Sequence, residues 1–87
     1  SRIITVPRKG GERVVTVLSS KGTAATIEHT VKALIKARDL YGIKMEIILP
    51  ENGLEGERGT IAKLLERDYD EIHIHSADEI SMILKNI

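Results

Sequence analysis

The sequence predicts an α/β fold: a two-layer sandwich of order ββαβαβα. Its mixed four-stranded sheet runs in spatial order 1-2-3-4, with strand 1 antiparallel and three helices on one face. Three observations carry that expectation. An apolar strand-like run followed by a loop and an amphipathic run occurs three times, the loops being residues 19–23, 50–60 and 75–78. The last two strands alternate, with Ile43, Met45, Ile47 and Leu49 against Lys44, Glu46 and Ile48, then Ile72 and Ile74 against Glu71, His73 and His75. A strand buried on both faces reads as continuously apolar, so one face of this sheet is expected to stay partly polar and bare. Right-handed crossovers stepping in one direction then place successive helices on the other face.

The elements follow in order. Residues 3–6 are β-branched and are stopped by Pro7, as a short strand is. Gly10 and Gly11 supply the positive φ of a tight hairpin, and residues 13–18 form the returning strand. The longest helix opens at Thr23 or Ala24 and runs to Tyr41, with Ile27, Val31, Leu34, Arg38 and Tyr41 on one stripe. Glu28 and Lys32 are spaced to pair on its outer side, and Gly42 ends it. Residues 43–49 are the third strand. Residues 50–59 read as an irregular loop with Gly53, Gly56 and Gly59, after which Thr60 caps a short helix ending near Asp68. Residues 72–75 are the fourth strand. Ser76 and Glu79 form a capping box for a last helix whose apolar side is Ile80, Ile83, Leu84 and Ile87.

Composition narrows the class. Eighty-seven residues, 41% apolar and 30% charged, make one small soluble domain, residues 1–87, with a modest core. No apolar run approaches about 20 residues, so no membrane helix is expected, and nothing at the start reads as a signal peptide. The absence of cysteine excludes disulfides and thiolate metal sites and fits a reducing, cytoplasmic setting. Abundant charge with no Gln or Cys leans toward a thermophilic source. An opening Ser in place of Met is what a domain excised from a longer chain, or a tag remnant, would show. The net charge of zero is polarised: residues 1–22 carry five basic groups against Glu12, a net of +4, and the remainder balances it at −4.

The loop residues Ser19, Ser20, Lys21, Gly22 and Thr23 are the best anion-site candidate. They precede the long helix, where free N–H groups, the helix dipole and the Lys21 ammonium all favour phosphate or carboxylate. The spacing is neither a Walker A motif nor GxGxxG, and serines and a glycine before a helix also serve as plain caps and turns. Arg58 and His75 are candidate secondary contacts from neighbouring loops. His73 and His75 share one side of their strand, and Glu46 could join them as a metal set; the bland alternative is a solvated strand face. Ser19 or Ser20 with His75 and Asp78 has the residue types of a nucleophile, base and orienter but no nucleophile elbow. Glu51, Glu55 and Glu57 lack EF-hand spacing and read as solubilising charge on a loop.

The expected function is therefore a small non-catalytic binding or assembly domain without metal or cofactor. It would take a phosphate-bearing or other anionic small molecule at the 19–23 edge. It would dimerise through its open sheet face, with Val14, Thr16 and Ile48 on that face. The alternative partner is nucleic acid, bound by Arg2, Arg8, Lys9 and Arg13 of the basic hairpin. Against it stands the lack of Phe and Trp to stack on bases. A small phosphoryl-transfer or hydrolytic enzyme is a third class, with no motif to carry it.

Overall fold

The β-branched and apolar runs form one sheet, and the helical stripes close over it. A computed structural model of the chain describes residues 3–7, 13–19 and 21–87. The strands are β1 (Ile3–Pro7), β2 (Val14–Leu18), β3 (Met45–Pro50) and β4 (Ile72–His75). The helices are α1 (Ala24–Tyr41), α2 (Gly56–Asp68) and α3 (Ala77–Lys85). The sheet order is β1-β2-β3-β4, with β1 antiparallel to β2 and the other pairs parallel. Class, element order and strand directions are those the sequence predicts. No helix among the described residues is long and apolar enough to cross a membrane.

The main core lies between the sheet and two helices. Ile27, Val31 and Ile35 of α1 and Ala62 and Leu65 of α2 meet Leu18, Met45, Ile47, Leu49 and Ile72 of the sheet. The α1 stripe thus runs through Ile35, while Tyr41, read from the sequence as part of it, is 71% exposed. Gly42 ends α1 in the left-handed conformation at φ 66°, donating to the Arg38 carbonyl. Lys32 and Glu28 pair at 3.2 Å on the outer side.

The second face departs from the bare surface expected. Val14 pairs with Met45 and Thr16 with Ile47, so both residues stand on the α1–α2 side, and Val14 packs against the core cluster. The residues on the opposite face are Val15, Val17, Glu46 and Ile48, as strand alternation requires. Two of them are closed off from solvent, Val15 at 0% and Ile48 at 2% exposure, and neither belongs to the α1–α2 cluster. The half-buried apolar side chains outside that cluster include Val6, Val17, Ile80, Ile83 and Ile87. α3 meets β3 and β4, and none of its residues enters the cluster. Ile48 therefore offers no open patch to a second copy.

Two element boundaries also move. β3 begins at Met45, leaving Ile43 exposed in the turn. α2 begins at Gly56 with Glu55 as N-cap, four residues before Thr60. Thr60 sits inside the helix and its hydroxyl donates to the Gly56 carbonyl at 3.2 Å. The cause is Gly59: a Cβ there would lie 2.8 Å from the Leu54 carbonyl oxygen, so glycine lets the preceding turn fold onto the helix. Of the glycines that suggest a loose loop, Gly59 is used for close packing, and Gly53 and Gly56 for positive-φ turns.

Candidate functional site

The C-terminal ends of the three parallel strands share one edge of the sheet, and each leads into a helix N-terminus. At the end of β2, the Ser19 hydroxyl accepts the Lys21 N–H at 3.2 Å. Gly22 then turns the chain at φ 103°. Thr23 is the N-cap of α1, its Oγ1 accepting the Thr26 N–H at 3.1 Å while its carbonyl accepts Ile27 N–H at 3.1 Å. The capping role weighed in the sequence is thus real for Thr23. Lys21 stands exposed and has no ion pair among the described residues, and the first turn of α1 holds no acid. Ser20 lies outside the described residues.

The next loop is anchored to β4, Glu51 N–H donating to the His75 carbonyl at 2.9 Å. It turns through Leu54 N–H to the Glu51 carbonyl and Glu55 N–H to the Gly53 carbonyl, both 3.1 Å. Gly53 and Gly56 adopt φ 87° and 58°. The N-cap of α2, Glu55, makes no side-chain hydrogen bond to the helix, so its terminal N–H groups lack the side-chain acceptor that Thr23 gives α1. Arg58, in the first turn of α2, is half-buried and already engaged. A cleft of about 320 Å³ opens beside this turn, lined by Glu51, Leu54, Gly59, Lys63 and Ile74. Glu51, Glu55 and Glu57 are exposed.

His75 is placed elsewhere. Ile72 and Ile74 face the α1–α2 core, so alternation turns His73 and His75 to the opposite face. Their rings lie 5.9 Å apart. His75 Nδ1 is buried without a hydrogen-bond partner, 3.6 Å from Glu79 Oε1. Ser19 follows β2 and His75 ends β4, strands separated by β3, which sets them roughly 10 Å apart. That is beyond hydrogen-bond reach, and the acid beside His75 is Glu79, not Asp78. With Ser19 as nucleophile, the nucleophile–base–orienter arrangement does not assemble among the described residues. Glu46 is drawn to Arg13 at 3.1 Å, and the two histidines and Glu46 form no three-ligand group among the described residues.

Of the basic hairpin residues, Arg13 is committed to that pair with Glu46, and Arg2, Arg8 and Lys9 lie outside the described residues. The sequence reading missed a larger cleft of about 610 Å³ at the other end of the strands. Arg13, Arg38, Lys44, Glu46, Asp70, Glu71 and His73 are among its lining residues. Its charges mostly satisfy each other. Arg38 binds Asp39 at 2.9 Å and also Glu71. The hydrogen bond to Asp39, and then the charge of Glu71, outweigh burial and hold the Arg38 guanidinium above its ordinary pKa. The signal was present, since Arg38 is the one charge on the apolar stripe of α1 and a charge there needs a partner.

No protein-family model matches the chain, and no curated protein and no solved structure is significantly similar to it.

Proposed function

We propose that this chain is a small non-catalytic binding domain that takes a phosphate-bearing or other anionic small molecule where α1 and α2 begin. One observation carries the reading: two helices packed on each other start side by side at one sheet edge, beside an exposed Lys21 that pairs with no acid among the described residues. Packed helix axes lie about 8–10 Å apart, so the two positive dipole ends act on one small volume. The α2 terminus adds N–H groups that its N-cap side chain, Glu55, does not bond. An anion with two or more acceptor oxygens fits such a site, because each oxygen meets a donor without any rearrangement of the backbone. His75 falls away as a direct contact because its side chain stands on the far face, and Arg58 contributes charge from the first turn of α2.

The test is a titration of inorganic phosphate and of a nucleoside diphosphate, followed by amide NMR. Shifts should concentrate at Gly22, Thr23 and the first turn of α2. Lys21→Ala should weaken binding several-fold at low salt. No shifts at these amides at millimolar ligand would sink the reading. Self-association belongs to the same proposal and would use the exposed Met82 and Leu84 of α3, not the buried Ile48. Sedimentation of the wild type beside Met82→Lys checks it.

A further inference from the structure

We propose that the cleft at the N-terminal ends of the parallel strands binds a small zwitterion of dipeptide size, its ammonium on Asp70 and its carboxylate on Lys44.

Three segments build this cleft: the end of α1 with the turn that follows it, the residues entering β2 and β3, and the turn between α2 and β4. Its volume of about 610 Å³ lies within the range of small-molecule sites. Most of its charges hold each other. Arg13 pairs with Glu46 at 3.1 Å, and Arg38 is held between Asp39 and Glu71. These pairs fix the walls and have little charge left to offer. Lys44 and Asp70 are the exceptions. Both line the cleft and are exposed, and neither side chain has an ion pair or hydrogen bond among the described residues. They enter neighbouring strands, since Asp70 falls opposite Met45 when the Ile47–Ile72 register is continued by two residues.

Charge decides the class of ligand. The lining carries three basic side chains against four acidic ones, and the negative end of the α1 dipole adds to that excess. A simple anion would be drawn by Lys44 and repelled by the excess. A simple cation would be drawn by Asp70 and repelled by Lys44. A molecule with both charges meets a partner at each end. The two partners stand on different strands and do not pair with each other, which suits the spaced termini of a dipeptide. Ile43, 40% exposed, and Met45 line the same cleft and offer apolar contact to a side chain. The anion site lies at the opposite end of the strands, so either reading can fail without the other.

The probe is glycyl-leucine, titrated into the full 87-residue chain and followed by amide NMR. The controls are its N-acetyl form, which lacks the ammonium, and its C-terminal amide, which lacks the carboxylate. Saturable shifts should appear at millimolar peptide and concentrate at Ile43, Lys44, Met45, Asp70 and Glu71. Each control should bind about fivefold more weakly, the upper range for one exposed ion pair. Lys44→Ala and Asp70→Asn should each weaken the parent peptide to the same extent and, at exposed positions, leave the unfolding midpoint nearly unchanged. Lys44→Ala should not weaken the amide further, nor Asp70→Asn the N-acetyl form, because each pair is then already broken. Three results would overturn the proposal: no saturable shift at millimolar peptide, a control that binds as tightly as the parent, or shifts confined to Gly22, Thr23 and the first turn of α2. The last would assign the peptide to the anion site.

Discussion

The carboxylate of Glu66, on α2, accepts a hydrogen bond from the backbone N–H of Ile74, on β4, at 2.7 Å. Ile74 lies on the outer strand, where this N–H would otherwise be an open ladder position. The bond fastens a helix to the strand it covers and closes one edge of the sheet. A charge-assisted bond to an amide stabilises more than a neutral one, and solvent access reduces that advantage. Glu66→Ala should cost about 1 kcal/mol in denaturant unfolding. The Ile74 amide should lose hydrogen-exchange protection ahead of its β3-facing neighbours. Unchanged exchange at Ile74 would show that the bond contributes nothing.

Ile48 separates a buried second face from an open one. At 2% exposure, Ile48→Ala should destabilise by about 2–5 kcal/mol, as truncations of buried isoleucine do. Met82→Ala, at a position 65% exposed, should leave the unfolding midpoint nearly unchanged. If both variants behave alike, Ile48 is not covered as the structure has it.

These two residues also show what the sequence made legible. Strand directions, sheet order and the Ser76–Glu79 box follow from local signals: β-branched runs, crossover handedness and a capping pattern. Strand alternation separated the faces of β3 and β4 correctly. On β2, however, Val-Val-Thr-Val-Leu is apolar at nearly every position, so pattern alone left open which residues face α1. Only the register with Met45 and Ile47 decides that Val14 and Thr16 do. The polar His73 and Glu46 suggested an open face, yet a face can carry polar residues at its rim and bury Val15 and Ile48 at its centre. At the candidate site, the 19–23 turn was readable because Thr23 and Gly22 have strong local preferences. The separation of His75 from it was not, because it depends on β3 lying between two strands that are distant in sequence.

Two glycines should resist substitution for different reasons. At Gly59 the obstacle is space, since a Cβ would sit 2.8 Å from the Leu54 carbonyl. Gly59→Ala should therefore destabilise, against the gain of about 1 kcal/mol that helix propensity alone gives alanine. At Gly22 there is room, the nearest atoms to a Cβ being those of Thr26 at 3.6 Å. The obstacle there is φ 103°, and Gly22→Ala should cost roughly 1–3 kcal/mol through backbone strain. Thermal unfolding of both variants checks this, and a stabilised Gly59→Ala protein would refute the packing argument.

The last helix should be sensitive to acid. α3 has nine residues and none is buried, so packing holds it weakly. Isolated helices shorter than about 12–15 residues are marginal in water, which gives its N-terminus unusual weight. Ser76 Oγ accepts the Glu79 N–H at 3.2 Å, and Glu79 Oε1 accepts the Ser76 N–H at 2.8 Å. The bond from the Ser76 backbone, then the bond with its side chain, hold the Glu79 carboxyl below its ordinary value of 4.5, with nearby His75 adding to the effect. A carboxylate whose folded pKa is depressed stabilises the fold above its unfolded pKa. That contribution is lost as pH falls through the lower folded value. Amides of α3 should therefore lose exchange protection below about pH 4.5, before those of β2 and β3. Glu79→Gln keeps an acceptor for the Ser76 N–H and should remove Glu79's share of this acid dependence. Ser76→Ala should weaken α3 at every pH by about 1 kcal/mol, as loss of an N-cap hydroxyl does. If α3 of the Glu79→Gln protein frays in acid as the wild type does, the box does not govern the helix.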